Sequence, residues 1–258
     1  MKRTLVFLLI AIIFLAVAGG VFLKKAYVVP IIMYHYIGDS LRDSKLYVSP
    51  EDFADQMKFL HDHHYSVIGP DKAVEYIQKK KKAPPKTVLI TFDDGTYDLY
   101  QYAYPVLKKY DFPATMFIIT SKMGQPGWLG WGQVQEMSNS GLITIGSHTK
   151  SHLWLPTTGS VKVMDELVDS KRILEKWLSK RVDYFCYPIG AYNDRVKRFV
   201  KESGYKAAFV TNPGRLRPND DIYAIKRVKI SRTSRNHLVF AAEISGYYLW
   251  FKGHGGGE

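Results

Sequence analysis

Val88-Leu89-Ile90-Thr91-Phe92, followed at once by Asp93-Asp94-Gly95, decides the reading of this chain. A charge-free run bounded upstream by Pro84-Pro85 and downstream by a turn glycine has the length of a fully buried strand. Runs of the same kind recur, and Val28–Met33, Ala114–Ile119, Leu142–Ile145, Tyr184–Tyr187, Tyr205–Val210 and Ile225–Ile230 are predicted as strands, with Ser66–Ile68 a shorter one. Helical spacing is predicted between them, over Pro50–Leu60, Asp71–Lys79, Tyr97–Lys109, Trp131–Ser138, Ser160–Leu178 and Asp194–Glu202. Pro50 suits a first helical turn and Ser160 suits a cap. Alternating strands and helices with short connections make an α/β protein with a parallel sheet, either doubly wound or closed as a barrel. Acids and histidines fall directly after strands, the end at which β/α barrels carry their active sites.

The length of 258 residues suits one large domain or two small ones, and neither an internal repeat nor an inter-domain linker is visible. A hydrophobic fraction of 46% with 14% aromatics excludes a disordered chain. One cysteine, Cys186, excludes an intramolecular disulfide and any multi-cysteine zinc or iron–sulfur site. The net charge of +12 suits an anionic partner such as a wall polymer or a lipid surface, although lysines spread along the chain also simply solubilise a surface.

Thr4–Leu23 contains no charged residue and lies between Lys2-Arg3 and Lys24-Lys25. At about 1.5 Å per residue such a helix just crosses a hydrocarbon core of about 30 Å. Ala16-Val17-Ala18 before Gly19 also resembles a signal-peptide cleavage site. Length favours a retained single-pass anchor over a cleaved signal, and either places the remainder outside the cytoplasm. Nucleic acid is therefore not expected as a partner. The predicted organisation is an anchor or signal over 1–25, one domain over 26–252 and a glycine-rich flexible tail over 253–258.

Three segments concentrate chemistry. Asp93 and Asp94 are adjacent carboxylates that oppose joint ionisation, and a bound cation relieves this by taking one as a ligand while the other stays free as a base. Asp-Asp-Gly is equally good turn chemistry. His148 and His152 stand four apart, the spacing that places two side chains on one face of a helical turn where they can share a metal. Together with a carboxylate they form a His₂–carboxylate set with positions left open for water and substrate. His35, in Tyr34-His35-Tyr36 after the first strand, is a candidate proton donor, and a merely packed histidine is the plain alternative. His61, His63 and His64 sit at a helix end, where cations favour the dipole, and His237 and His254 lack a nearby acidic cluster.

These residues resemble the polysaccharide deacetylase, or NodB-homology, family. The matching segments are TFDDGTYD (Thr91–Asp98), SHTKSH (Ser147–His152), FCYPIGAYND (Phe185–Asp194) and the approach LGWGQVQEMSNSGLITIGSHT (Leu129–Thr149). The resemblance implies an incomplete (β/α)₇ barrel and metal-dependent removal of N-acetyl, sometimes O-acetyl, groups from a polysaccharide. By that resemblance Asp93 is the general base and Asp94, His148 and His152 are the metal ligands. The third motif departs from the pattern, because Cys186 stands where an arginine would orient the base. Backbone N–H groups around Ile189 are candidates for stabilising the oxyanion. Trp154, Tyr187 and Arg227 are candidate substrate contacts, and Arg227 is also a candidate source of the missing positive charge. The usual late Leu-x-His motif is absent. Ile31-Ile32-Met33-Tyr34-His35 instead resembles a circularly permuted subgroup with an N-terminal Tyr-His, which includes deacetylases of exported poly-β-1,6-N-acetylglucosamine, and this makes His35 the catalytic acid.

The expected function is thus an extracytoplasmic, metal-dependent deacetylase of a cell-wall or exported polysaccharide, a hydrolase of non-peptide carbon–nitrogen bonds. The expected cofactor is most simply Zn²⁺, and such a nitrogen–oxygen site also takes Co²⁺, Ni²⁺ or Fe²⁺. The expected partners are the acetylated polysaccharide, the membrane through the first segment, and an anionic wall polymer. One rival is a non-catalytic glycan-binding module on the same barrel, favoured by the missing arginine and opposed by the intact Asp93. Another is an Fe(II) oxygenase, opposed by the second aspartate.

Overall fold

The computed structural model describes residues 27–38, 46–79, 83–211 and 221–248, together with Phe7, Phe14 and Gly20. Otherwise the first segment lies outside the described residues, as do the tail and His254. Among the described residues no helix is long and apolar enough to cross a membrane.

The strands are β1 (Ile31–Tyr34), β2 (Tyr36–Ile37), β3 (Tyr47–Val48), β4 (Ser66–Val67), β5 (Thr87–Phe92), β6 (Ala114–Ile118), β7 (Ile143–Ser147), β8 (Tyr184–Cys186), β9 (Ala207–Val210), β10 (Ile225–Lys226) and β11 (Val228–Lys229). The helices are α1 (Pro50–Asp62), α2 (Pro70–Gln78), α3 (Tyr104–Tyr110), α4 (Trp131–Asn139), α5 (Ser160–Leu178), α6 (Asp194–Glu202) and α7 (His237–Glu243). The main sheet runs β10-β9-β8-β7-β6-β5-β1-β11, and every pairing in it is parallel. β4 lies along the start of β5.

The two ends of this order are halves of one extended run. β10 pairs with β9 and β11 pairs with β1, with Arg227 between them. The predicted single strand Ile225–Ile230 is therefore interrupted at Arg227, and the sheet comes round on itself as a nearly closed, incomplete seven-position β/α barrel.

Strand alternation then positions the site. Ile31, Leu89, Phe117, Tyr184, Cys186, Ala207, Phe209 and Ile225 form one apolar cluster, whereas Ile32, Ile90, Ile145, Phe185, Ala208 and Val228 belong to a second and larger one. Successive side chains of a strand point to opposite faces, so the first cluster fills the barrel and the second packs against the helices. The inward parity of Ile31, Leu89, Tyr184 and Ile225 carries on to His35, Asp93, Cys186 and Arg227. Gly146 shows how full the interior is: a Cβ there would lie 2.6 Å from the Phe117 ring and 3.0 Å from the Tyr184 carbonyl. Overpacking of this kind costs about 1–3 kcal/mol.

Two helical expectations change in detail. Tyr97–Lys109 is not one regular helix. Leu99–Ala103 is a π-helical turn in which the Tyr104 N–H reaches back to Leu99 O, and α3 follows. Pro105 has no N–H to give to the preceding turn, which favours such a local rearrangement. Ser160 is the first residue of α5 rather than its cap. The cap position is Gly159, and Ser160 Oγ instead accepts from Arg195 Nη1 at 2.9 Å. Ser49 does cap α1, accepting from Asp52 N at 3.0 Å, with Pro50 in the first turn.

Candidate active site

Asp94, His148 and His152 come together at the carboxyl ends of β5 and β7, with one donor atom of each within 4.8 Å of the others. His148 Nε2 lies 3.5 Å and His152 Nε2 3.8 Å from Asp94 Oδ1. Ligands held about 2.0–2.2 Å from one tetrahedral ion stand about 3.4 Å apart, so the three donors fit a divalent cation after small adjustments. His148 Nδ1 is 2.8 Å from Cys186 O. A carbonyl only accepts, so Nδ1 carries the proton and the Nε2 lone pair faces the other ligands, the usual outer support of a ligating histidine. Burial lowers the His152 pKa, reinforced by the neighbouring His148, and keeps the imidazole neutral and able to ligate.

The two histidines do not meet on a helical turn, as their spacing suggested. The segment after β7 is irregular, and Thr149 (φ 66°) and His152 (φ 60°) both take left-handed backbone. Asp94 does the same at φ 73°. Two of the candidate ligands, Asp94 and His152, thus stand in conformations that non-glycine residues seldom adopt, strain that persists only where surrounding contacts enforce it. The fully buried Glu166 of α5 is one such contact, accepting from Ser151 N at 2.7 Å and from Ser151 Oγ at 2.6 Å. Its position among helical residues gave no sign of this role in the sequence.

Asp93 sits beside the triad, with a carboxylate oxygen within 4.8 Å of a His148 ring nitrogen and of Cys186 Sγ, and it is bound by arginine. Arg227 Nη1 donates to Asp93 Oδ1 and Nη2 to Asp93 Oδ2, both at 2.7 Å. The guanidinium also donates to Thr91 Oγ1 (3.0 Å), Val210 O (3.1 Å) and Cys186 Sγ (2.9 Å), and it lies over the Phe117 ring. Burial alone would raise the Asp93 pKa, but the Arg227 charge outweighs it and holds the carboxyl well below its usual range. Burial pushes the Cys186 thiol up, so it is a neutral neighbour whose Sγ lies 3.6 Å from Asp93 Oδ2. The arginine missing from the third motif is therefore replaced in space from the strand that closes the barrel. Arg227 was also expected among the substrate contacts. Its side chain is fully buried against Asp93, so it is not the substrate contact expected.

His35 Nε2 approaches the same Asp93 Oδ2 at 3.9 Å, and its buried Nδ1 has no hydrogen-bond partner. Burial lowers the His35 pKa against the pull of the Asp93 charge. Next in sequence, Tyr36 Oη donates to Asp94 Oδ2 at 2.9 Å. Burial, reinforced by the Asp94 charge, raises the phenol's pKa, so it is a donor.

The third segment forms a turn against this cluster. Ile189, a β-branched residue, takes φ 56° within the tight turn Pro188–Gly190. Tyr187 is fully buried with its hydroxyl donating to Tyr223 O at 2.9 Å, so its side chain is not the substrate contact expected. Trp154 is half exposed and lines a cleft of about 400 Å³ with Pro156, Gly190, Ala191, Tyr192 and Val210. His61, His63, His64 and His237 are exposed at helix ends.

The comparisons agree with this geometry. The polysaccharide deacetylase family model matches residues 80–208. The Bacillus subtilis (strain 168) protein YxkH is 38% identical over 210 residues, covering 81% of this chain and 73% of its own. A poly-β-1,6-N-acetyl-D-glucosamine N-deacetylase of Staphylococcus aureus (strain MRSA252) is 32% identical over 218 residues, covering 79% of this chain and 75% of the relative. The structure of the Streptococcus pyogenes deacetylase PplD in complex with acetate superposes with a TM-score of 0.75 at 29% identity, covering 83% of this chain and 97% of that one. With an arginine-paired carboxylate beside an Asp–His–His set at the mouth of the same barrel, the chain belongs to the polysaccharide deacetylase family and is a hydrolase of carbon–nitrogen bonds.

Proposed function

We propose that this chain removes N-acetyl groups from an exported or cell-wall polysaccharide of N-acetylglucosamine, outside the cytoplasm and with a divalent metal held by Asp94, His148 and His152. The observation that carries the reading is the separation of the two adjacent aspartates: Asp94 turns to the histidines, and Asp93 is clamped by Arg227 beside them. A pure binding module needs only the first of these. The poly-β-1,6-linked polymer named for the Staphylococcus aureus relative is the first substrate to test.

A bound ion of the zinc class supplies Lewis acidity toward the acetyl oxygen and toward a water, whose pKa it lowers. Asp93 accepts the water proton, and Arg227 fixes the direction from which it does so. His35 delivers a proton to the departing sugar amine. The strained turn leaves the Ile189 N–H as the donor for the developing oxyanion, since the Tyr187, Gly190 and Ala191 N–H groups are taken by Phe209 O, Tyr187 O and Pro188 O, and Trp154 offers a ring face to a neighbouring sugar.

Acetate release from poly-β-1,6-N-acetylglucosamine, chitin oligomers, peptidoglycan and an O-acetylated xylan tests the substrate class. Release from an N-acetyl polymer is expected, and release from the ester polymer alone would overturn the N-deacetylase reading. The location is supported by the charge-free Thr4–Leu23. Membrane fractionation with N-terminal sequencing should recover an intact chain in the membrane, whereas a soluble product beginning at Gly19 would replace the anchor with a cleaved signal.

A further inference from the structure

We infer that Tyr36 is a positioning residue for the metal-ligating carboxylate, its phenol occupying Asp94 Oδ2 so that Oδ1 alone faces the two histidines. The inference rests on the metal-dependent reading of the site. The bond is 2.9 Å, while Asp94 Oδ1 is the oxygen that lies 3.5 Å and 3.8 Å from the histidine Nε2 atoms. The phenol is itself held. Tyr36 pairs with Tyr47 in the register of β2 and β3, and their rings stack with centroids 4.9 Å apart and planes 27° from parallel. The next residue is tied down as well, since Ile37 N donates to Asp98 Oδ2 at 2.5 Å.

A ligating carboxylate with a free second oxygen can swing to bidentate binding and take the position that a water or the acetyl oxygen needs. A hydrogen bond to that oxygen opposes the swing. Strand alternation makes one short segment serve both aspartates: His35 points inward to Asp93, and Tyr36 reaches across to Asp94. Losing an outer partner of a metal ligand typically weakens metal binding about 10–100-fold.

The test is Zn²⁺ affinity of the full chain by chelator competition, with the visible spectrum of the Co²⁺-loaded protein recorded alongside. Tyr36→Phe should bind Zn²⁺ about 10–100-fold more weakly and change the Co²⁺ spectrum, which responds to the number of ligating oxygens. The urea midpoint of the metal-free protein should stay that of the wild type. Tyr47→Phe, which keeps the ring stack, should match the wild type in all three readouts. Should Tyr36→Phe misfold, Tyr47→Ala unseats the ring without removing the hydroxyl and should weaken Zn²⁺ in the same direction. A wild type that binds no divalent metal would end the metal-dependent reading itself. A wild type that binds Zn²⁺, with Tyr36→Phe equal to it in affinity and spectrum, would end the Tyr36 inference alone.

Discussion

Arg227→Met is expected to destabilise the barrel by about 3–5 kcal/mol, because it leaves a buried carboxylate without its partner. Asp93 and Arg227 are both essentially inaccessible, and the pair is bidentate. Activity should fall as well, by about 10²-fold, the usual effect of misplacing a reacting group by an ångström. The pH dependence identifies the cause. In the wild type the depressed Asp93 pKa adds stability that is present above the unfolded carboxylate value of about 3.9 and lost only as pH falls through the much lower folded value. In Arg227→Met the largest lowering influence is gone and burial, opposed only by His148 and His35, should raise that pKa, so the sign reverses and stability is lost as pH rises through it. The gap in urea midpoint between the two proteins should therefore be wide at neutral pH and narrow in acid. A gap independent of pH would show that Arg227 contributes packing and not charge. Arg227→Lys keeps the charge but not the fork and should fall between the two.

His35→Ala is expected to keep its metal and its fold but to lose about 10²–10⁴-fold in turnover on an N-acetylated sugar, the range of general acid catalysis. His35 forms no hydrogen bond or ion pair with any of the three candidate metal ligands and faces Asp93 Oδ2 at 3.9 Å. An activated aryl acetate leaves without protonation, so the variant should hydrolyse it nearly as well as the wild type, and the ratio of the two activities is the readout. Equal loss on ester and amide would move His35 from proton donor to structural support. Burial lowers the His35 pKa, so below the unfolded value of about 6.5 the unfolded chain takes up a proton that the native state refuses. Wild-type stability should therefore decline on acidification through that window more steeply than that of His35→Ala.

Much of this was legible in short stretches of sequence. A charge-free strand ending in Asp93-Asp94, and a second ending before His148, placed the two aspartates and the two histidines at one end of a parallel sheet. Local patterning suffices for that, since it depends on strand ends and inward parity alone. Arg227 illustrates what local patterning omits. It lies 134 residues from Asp93 in the chain and meets it only because the last strand closes the barrel. Glu166 and Tyr36 are likewise ordinary residues on a helix and a two-residue strand until folding brings them to Ser151 and Asp94. The helical reading of His148 and His152 failed for a related reason. Hydrogen bonds from Ser151 to Glu166 and from His152 N to Thr149 Oγ1 hold a left-handed loop that spacing alone does not reveal.

Metal content and acetate release, measured on the same samples of wild type, His148→Ala/His152→Ala and Asp93→Asn, test the central claim most directly. One divalent ion per chain with acetate release from the N-acetyl polymer is expected for the wild type. The double variant should hold no metal and release none, and Asp93→Asn should hold its metal and still release none. Full metal occupancy in the double variant, or undiminished acetate release by Asp93→Asn, would contradict the division of labour between the two aspartates.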